Sequence, residues 1–150
     1  MSPDHLFICR HGKDESSPEG WVLSEEGRQQ ATRLGGQIAE ITQGEDTEIF
    51  TSTRQRAVQT AEIIANILHI SFQEAEALCS NAGKDVDMTL EIITKSKKSS
   101  LILITHEPST KVLPEEYSRR QLKKIFTYAK LDCGQAWHIF SRTKIGSLLK

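Results

Sequence analysis

Two short apolar segments of this chain each run into a histidine. Residues 6–9 are continuously apolar and precede Arg10 and His11, while the largely apolar run 100–105 leads directly into His106. Runs of this length are typical of strands that are buried on both faces of a sheet. In open α/β sheets, the carboxyl ends of such strands meet at the edge where ligands bind. The sequence therefore predicts that His11 and His106 face one pocket.

Amphipathic segments lie between these apolar runs and indicate an α/β domain. Apolar residues recur at helical spacing after Ser24, which suits an N-cap, and again over residues 55–68. Residues 12–22 are polar and contain Pro18 and Gly20, so we expect a loop over the pocket. The remaining predicted elements are helices over 87–94 and 115–129, strands at 48–51 and 135–141, and a strand with a loop over 71–83.

Length and composition limit the chain to one ordinary domain, residues 1–150, with 37% hydrophobic residues to form its core. Its 19 basic and 20 acidic side chains give no overall attraction to nucleic acid or to an anionic membrane. No apolar stretch approaches the roughly 20 residues of a membrane-spanning helix. The three cysteines are widely spaced, which predicts reduced thiols and neither a disulfide framework nor a zinc site. We therefore expect a cytoplasmic protein.

Basic residues accompany the histidines and indicate phosphoryl chemistry. Arg10 precedes His11, and Arg56 lies in the first turn of the second predicted helix, where its guanidinium can turn back toward the strand ends. One imidazole can attack phosphorus, while guanidiniums stay charged and can each meet two phosphoryl oxygens. The sequence thus predicts a phosphoryl-transfer site built from Arg10, His11, Arg56 and His106.

Three motifs occur in an order that resembles the histidine phosphatase (phosphoglycerate mutase-like) superfamily. They are Arg10-His11-Gly12, the element with Ser52, Arg56, Gln59, Thr60 and Ala61, and His106. The resemblance implies a three-layer α/β/α sandwich with a mostly parallel central sheet, and a phosphatase without metal or organic cofactor. It implies that His11 is the nucleophile, that the two arginines hold the phosphoryl oxygens, and that His106 donates a hydrogen bond to them. The residues expected to line the substrate site are Gly12, Ser52 and Glu107.

The chain departs from the superfamily pattern at the general acid. Many members carry a glutamate in the segment that corresponds to residues 74–85, but here no carboxylate lies two places after Leu78. An alkoxide leaving group needs a proton, whereas imidazole, with a reference pKa of about 6.5, leaves phosphohistidine with little or no help. The chain therefore most resembles the short, SixA-like phosphohistidine phosphatases. The possible substitutes for the acid are Glu74, Glu76, Asp85, Asp14 and Glu107.

The predicted function is a phosphatase that forms a covalent phosphohistidine on His11 and acts on phosphohistidine in a signalling protein. One alternative is a phosphatase of small esters, such as sugar or nucleotide phosphates, that uses a substitute carboxylate. Another is a phosphate-binding module without turnover, which Lys13 beside the nucleophile and the missing acid favour. The expected partner is a phosphorylated protein or a small phosphorylated metabolite, and neither nucleic acid nor a membrane is expected.

Overall fold

A central six-stranded sheet organises the fold in this computed structural model, which describes residues 3–79 and 85–150. The strands are β1 His5–Arg10, β2 Asp14–Ser17, β3 Gly20–Leu23, β4 Thr47–Thr51, β5 Gln73–Glu74, β6 Ser100–Thr105, β7 Ala136–Phe140 and β8 Ile145–Leu149. The helices are α1 Glu25–Thr42, α2 Gln55–Leu68, α3 Val86–Lys95 and α4 Ser109–Gln121. The strand order is β5-β4-β6-β1-β7-β8. Neighbours from β5 to β1 are parallel, whereas β7 and β8 are antiparallel additions.

Helices cover both faces of this sheet. In β1, Leu6 and Ile8 pack in the core cluster that includes residues of α3 and α4. Phe7 and Cys9 pack in the second cluster, with residues of α1 and α2. Successive side chains of a strand point to opposite faces, so a strand covered on both sides must be apolar at every position. The two clusters therefore form the predicted three-layer α/β/α arrangement.

Helix α1 begins after Ser24, as the sequence predicts, and α2 both begins and ends as predicted. The Oγ of Ser24 accepts a hydrogen bond from the backbone N–H of Gly27 at 3.0 Å and so caps α1. The second, α2, spans the predicted residues 55–68. Helix α3 extends the predicted 87–94 by one residue at each end. Among the described residues, no helix combines the length and the apolar character that a membrane crossing requires.

The loop predicted over residues 12–22 was wrong, because most of it forms the β2–β3 hairpin. Ser17 pairs with Gly20 across a two-residue turn, and Gly20 has a φ of 109°, a conformation that favours glycine. The segment was interpreted as a loop because β2 has the sequence DESS, which lacks the apolar alternation of a half-buried strand.

The helix predicted over 115–129 was wrong in position, since α4 begins at Ser109 and ends at Gln121. The prediction used Pro114 as a boundary, because proline has no N–H for the helix ladder. In the structure Pro114 lies inside α4, and burial of Leu113, Pro114 and Tyr117 holds the helix together through that position.

The strands beyond these helices follow the predictions only in part. The run 135–141 forms β7, as predicted, but β8 was missed, so β7 is an inner strand rather than the edge of the sheet. Over residues 71–83 the structure has β5 and a 3₁₀ turn at Glu76–Leu78, while residues 80–84 lie outside the described part.

Two glycines allow the chain after β1 to approach the start of α1 closely. A Cβ on Gly12 would lie 2.5 Å from the carbonyl oxygen of Gly27. A Cβ on Gly27 would lie 2.1 Å from the carbonyl oxygen of Lys13. Backbone meets backbone here, so no side-chain rotation could relieve either clash. This close approach positions the segment that contains His11.

We expect Gly27→Ala to lower the free energy of unfolding by about 1–3 kcal/mol, because the added methyl group overpacks the contact with Lys13. The matched control is Gly36→Ala in the same helix, where no atom lies within 4 Å of the added Cβ. That change should stabilise the protein by about 0.5–1 kcal/mol through helix propensity. Urea unfolding of both variants measures the difference, and equal stabilisation by the two would contradict the close backbone contact.

Candidate active site

The carboxyl ends of three neighbouring parallel strands bring the predicted site residues together. His11 follows β1, His106 follows the adjacent β6, and Ser52 follows β4 on the other side of β6. The centroids of the two imidazole rings are 5.0 Å apart. Both histidines are buried, with 5% and 8% of their surface exposed. The predicted convergence of two strand-terminal histidines is therefore present.

The hydrogen bonds of His11 determine which of its nitrogens carries the lone pair. Its Nδ1 lies 2.8 Å from the carbonyl oxygen of Gly12. A carbonyl can only accept, so Nδ1 carries the proton and donates it to this bond. In the neutral ring Nε2 is then the unprotonated nitrogen, and it accepts a hydrogen bond from Arg56 Nε at 3.2 Å. Nε2 is thus the nitrogen that could attack phosphorus.

Arg56 links the nucleophile candidate to the hairpin. Its Nε lies 3.3 Å from Asp14 Oδ2, in an ion pair with the first residue of β2. Before His11 Nε2 can attack phosphorus, the hydrogen bond that it accepts from the Arg56 N–H must break. A phosphoryl oxygen is a charged acceptor and would draw the guanidinium toward the substrate.

His106 is held by Ser52 in an orientation that leaves one nitrogen for a ligand. Its Nε2 lies 2.7 Å from Ser52 Oγ, which also accepts a hydrogen bond from the backbone N–H of Arg54 at 3.2 Å. The Ser52 hydroxyl has one proton, and imidazole nitrogen is a better acceptor than the Cys79 sulfur 3.3 Å away. With that proton donated to Nε2, the neutral ring is protonated at Nδ1. Nδ1 is buried and has no partner within the described residues.

Arg10 adds a second guanidinium beside the imidazoles. Its Nη1 donates to the carbonyl oxygen of Leu131 at 2.8 Å, which fixes the side chain from the segment before β7. Its Nε is buried and has no hydrogen-bond partner in the part of the chain that the structure describes. Arg10 Nε and His106 Nδ1 are therefore two unsatisfied donors, which is the arrangement that an oxyanion would complete.

Burial and positive charge keep both imidazoles neutral. Burial is the largest cause that lowers the pKa of His11 below its ordinary value, and the charges of Arg56 and Arg10 act in the same direction. Burial lowers the pKa of His106 to about 3, with further contributions from His11 and the neighbouring arginines. A neutral His11 can act as a nucleophile at neutral pH, and a neutral His106 has only one N–H to donate.

Residues of the second motif attach α2 to the segments around the site. Thr60 Oγ1 accepts a hydrogen bond from the backbone N–H of Gly12 at 3.1 Å and donates to the carbonyl oxygen of Arg56 at 2.8 Å. Gln59 Oε1 accepts from the backbone N–H of Leu23 at 2.7 Å. The first contact positions the Gly12 carbonyl that orients His11, and the second holds the hairpin against α2.

The predicted substitute acids differ in what their carboxylates contact near the imidazoles. Asp14 is joined to the site through Arg56, and Glu76 Oε2 lies 3.4 Å from Thr53 Oγ1, one residue after Ser52. Glu107 was also expected to bind substrate, but its Oε1 accepts hydrogen bonds from Thr110 Oγ1 and from the backbone N–H of Leu131. The two others are exposed Glu74 in β5 and Asp85 at the start of α3.

No cluster of three or more histidine, cysteine, aspartate or glutamate residues in the described ranges could hold a metal ion. The prediction of an enzyme without a cofactor stays a prediction.

The sequence of residues 6–130 matches the family model of the histidine phosphatase superfamily (branch 1). The chain belongs to this superfamily. The family resemblance predicted from the three motifs is confirmed, and the match supports a phosphatase with a histidine nucleophile. Among curated protein sequences, none matches the chain at a significant level.

Solved structures support the same fold. A protein named as the phosphohistidine phosphatase SixA from Agrobacterium tumefaciens has a TM-score of 0.73 and 17% identity, covering 100% of this chain and 97% of that one. The protein histidine phosphatase SixA in complex with tungstate has a TM-score of 0.72 and 18% identity, covering 97% and 94%. A protein named as an alpha-ribazole-5'-P phosphatase from Escherichia coli has a TM-score of 0.71 and 14% identity, covering 98% and 95%. At these identities the likeness shows the fold, and it confirms the predicted α/β class.

Sequence reasoning missed two contacts that shape this histidine phosphatase site. The ion pair of Asp14 with Arg56 joins residues 42 positions apart, and it could be found only by recognising the hairpin. The Leu131 carbonyl that binds Arg10 lies two residues beyond the helix predicted over 115–129, in a stretch for which the sequence predicted no element. A backbone carbonyl leaves no signal in side-chain chemistry, so no motif could have indicated it.

We expect Ser52→Ala to lower kcat/KM by about 3- to 10-fold, because a lost hydrogen bond of ordinary strength leaves the proton of His106 free to occupy either nitrogen. Nitrogen-15 NMR of the His106 ring should show Nδ1 and Nε2 sharing the proton in the variant. The matched control is Thr53→Ala, which removes a neighbouring hydroxyl that contacts Cys79 and Glu76. An unchanged His106 spectrum in Ser52→Ala would rule out this role for Ser52.

The lowered pKa of His106 predicts a stability that depends on pH. An unfolded histidine titrates near pH 6.5, whereas His106 in the folded protein is protonated only near 3, so the unfolded state binds more protons between these values. The free energy of unfolding should therefore fall as the pH is lowered from about 6.5 toward 3. His138, whose pKa burial lowers to about 4, contributes in the same direction.

Urea unfolding at about pH 7.5 and about pH 5 measures this fall. The fall should be smaller in His106→Gln and unchanged in the control His69→Asn, which alters a histidine at the end of α2. An equal fall in wild type and His106→Gln would show that His106 is not its source.

Proposed function

We propose that this chain is a phosphohistidine phosphatase that removes the phosphoryl group from a histidine of a signalling protein. The proposal includes His11 as nucleophile, Arg10 and Arg56 as ligands of the phosphoryl oxygens, and His106 as a hydrogen-bond donor to them. Its main support is the orientation of His11, whose Nδ1 is committed to the Gly12 carbonyl so that the Nε2 lone pair is directed into the group of guanidiniums.

Two displacements at phosphorus make up the reaction. In the first, His11 Nε2 forms a bond to phosphorus while the P–N bond of the substrate breaks, and the departing imidazole nitrogen keeps the electron pair. In the second, water attacks the phosphohistidine on His11, so that inorganic phosphate leaves and the imidazole is regenerated. Both transition states place charge on the equatorial oxygens, where charge-assisted bonds from Arg10 and Arg56 are about twice as strong as neutral ones.

The pairing of the carboxylate beside the site favours a phosphoramidate substrate over a phosphate ester. Of the five substitute acids, Asp14 is the one in contact with the nucleophile's partner, and its carboxylate is engaged by the Arg56 guanidinium rather than directed to a leaving group. A departing imidazole needs little protonation, because its conjugate acid has a reference pKa of about 6.5, whereas an alkoxide needs a proton during cleavage. A site with this arrangement therefore suits phosphohistidine.

A protein substrate and a cytoplasmic location complete the proposal. The balanced formal charge of -1 gives no general attraction to nucleic acid or to an anionic membrane. Cys9, Cys79 and Cys133 are free thiols, as expected for a protein in a reducing compartment.

A phosphatase of small phosphate esters is the second candidate, and the position of Glu76 favours it. Its carboxylate lies beside Thr53, one residue after Ser52, and it forms no ion pair with a basic side chain among the described residues. A substrate that draws Glu76 toward the leaving group could receive a proton from it.

Parallel kinetics on phosphohistidine and on a panel of sugar and nucleotide phosphates test the proposal. We expect kcat/KM to be at least 100-fold higher for phosphohistidine, the size of effect that general acid catalysis contributes for substrates that need it. His11→Ala should abolish turnover and the trapping of acid-labile phosphate on the protein. Tight phosphate or vanadate binding without turnover of any substrate would indicate a binding module, and higher rates on esters that Glu76→Gln removes would establish the second candidate.

A further inference from the structure

The β2–β3 hairpin presents one face to the active site and extends beyond it. Cross-strand partners share a face, and so do residues two apart on a strand, so Asp14, Ser16, Trp21 and Leu23 lie on the same face. Leu23 is buried and Asp14 contacts Arg56, which shows that this face is turned toward the site. Trp21 is about 7 Å farther along the strand, at the mouth of the site.

Trp21 is 56% exposed although its ring is among the largest apolar groups of the chain. Within the described residues, β2 and β3 pair only with each other, so the outer end of the hairpin is not covered by a further strand. An exposed indole at this position would contact whatever surrounds a phosphoryl group bound at His11. Its place beside the site, rather than its exposure alone, indicates a recognition role.

The hairpin and the residues that follow it, up to Glu26, carry only negative side-chain charges. Residues 14–26 contain no lysine, arginine or histidine, and Lys13 just before them is paired with Glu26 at 2.8 Å. A free phosphate ester, itself an anion, is repelled by such a surface, whereas a cationic group is attracted by the carboxylates and by the indole face. The acidic residues of this segment are Asp14, Glu15, Glu19, Glu25 and Glu26.

We propose that Trp21 and the turn residue Glu19, here named the hairpin surface, dock a protein substrate whose phosphorylated histidine is flanked by basic and apolar side chains. The inference rests on the proposed function and adds the chemistry of the partner. On a helical substrate, side chains three and four residues from the phosphohistidine lie about 5–6 Å away from it, a distance comparable to the roughly 7 Å by which Trp21 lies beyond Leu23 along β3. Lysine and leucine at those positions would meet the hairpin surface while the phosphoryl group enters the site.

Two phosphohistidine peptides, prepared by chemical phosphorylation, test the hairpin surface alongside free phosphohistidine. One peptide carries lysine and leucine three and four residues from the histidine, and the other carries glutamate and serine. Wild type should prefer the basic peptide by about tenfold in kcat/KM, mainly through KM, the effect of one strong interface residue. Trp21→Ala should reduce the ratio of kcat/KM for the basic peptide to that for free phosphohistidine by a similar factor. The control Met88→Ala removes an apolar side chain of similar exposure, 55%, from α3.

Charge reversal tests the electrostatic part independently of the indole. Glu19→Lys should shift the preference toward the acidic peptide, and added salt should weaken the wild-type preference. The matched control is Glu15→Lys, because Glu15 pairs with Val22 and lies on the face opposite to Trp21. The proposal would be overturned if wild type had equal kcat/KM for both peptides. It would also be overturned if Trp21→Ala lowered kcat/KM equally for the basic peptide and for free phosphohistidine.

Binding to His11→Ala separates this proposal from the proposed function. Isothermal titration with the same two peptides should show about tenfold tighter binding of the basic one, and Trp21→Ala in this background should remove the difference. Loss of hydrolysis on all phosphohistidine substrates with the binding preference retained would contradict the proposed function alone. Equal affinities for the two peptides would contradict the hairpin surface alone.

Discussion

The hydrogen bond from His11 Nδ1 to the Gly12 carbonyl is the constraint on which the site depends. It fixes the tautomer of the neutral ring and so decides that Nε2 carries the lone pair. The same residue is held by Thr60 in α2, which accepts from its N–H, and by the close backbone approach of Gly12 to Gly27 in α1. Three elements, β1, α1 and α2, thus converge on one residue whose lack of a side chain permits the approach. The glycine of the first motif is therefore as necessary for the orientation of the nucleophile as the histidine itself.

Electrostatics explains why this site binds an anion and why its donors are free to bind one. Burial lowers the pKa of both histidines, and the charges of Arg56 and Arg10 lower it further, so the rings are neutral and the arginines carry the charge. Buried donors without partners, such as Arg10 Nε and His106 Nδ1, cost about 1–3 kcal/mol each. A phosphoryl group that satisfies them recovers this free energy on binding, and most strongly in the transition state, where charge on the equatorial oxygens is greatest.

The sequence predicted the parts of the fold that burial dictates. β1, β6 and α2 were correct because strands covered on both faces are continuously apolar and the helix shows an uninterrupted apolar stripe. The hairpin was missed because its strands depend on a turn and on contacts of Leu23 with Gln59, not on an apolar pattern. Helix α4 was misplaced because tertiary burial outweighed the local effect of Pro114. At the site the motifs identified the charged groups, whereas Asp14 and the Leu131 carbonyl act through folding of segments that carry no family pattern.

The hairpin and the strand ends carry opposite charges, and this separation bears on which phosphoryl groups reach His11. An anion close to the strand ends is stabilised by Arg10 and Arg56, but an approach past the outer end of the hairpin meets Glu19 in its turn. Screening at physiological ionic strength confines each effect to about 8 Å, so the two regions act on different parts of a ligand rather than cancelling. The single charged group of a small dianion is attracted by the arginines and repelled by the acidic hairpin. A protein that carries its phosphoryl group among cationic side chains can satisfy each region with a different group, so selectivity can arise from the hairpin without any change in the catalytic residues.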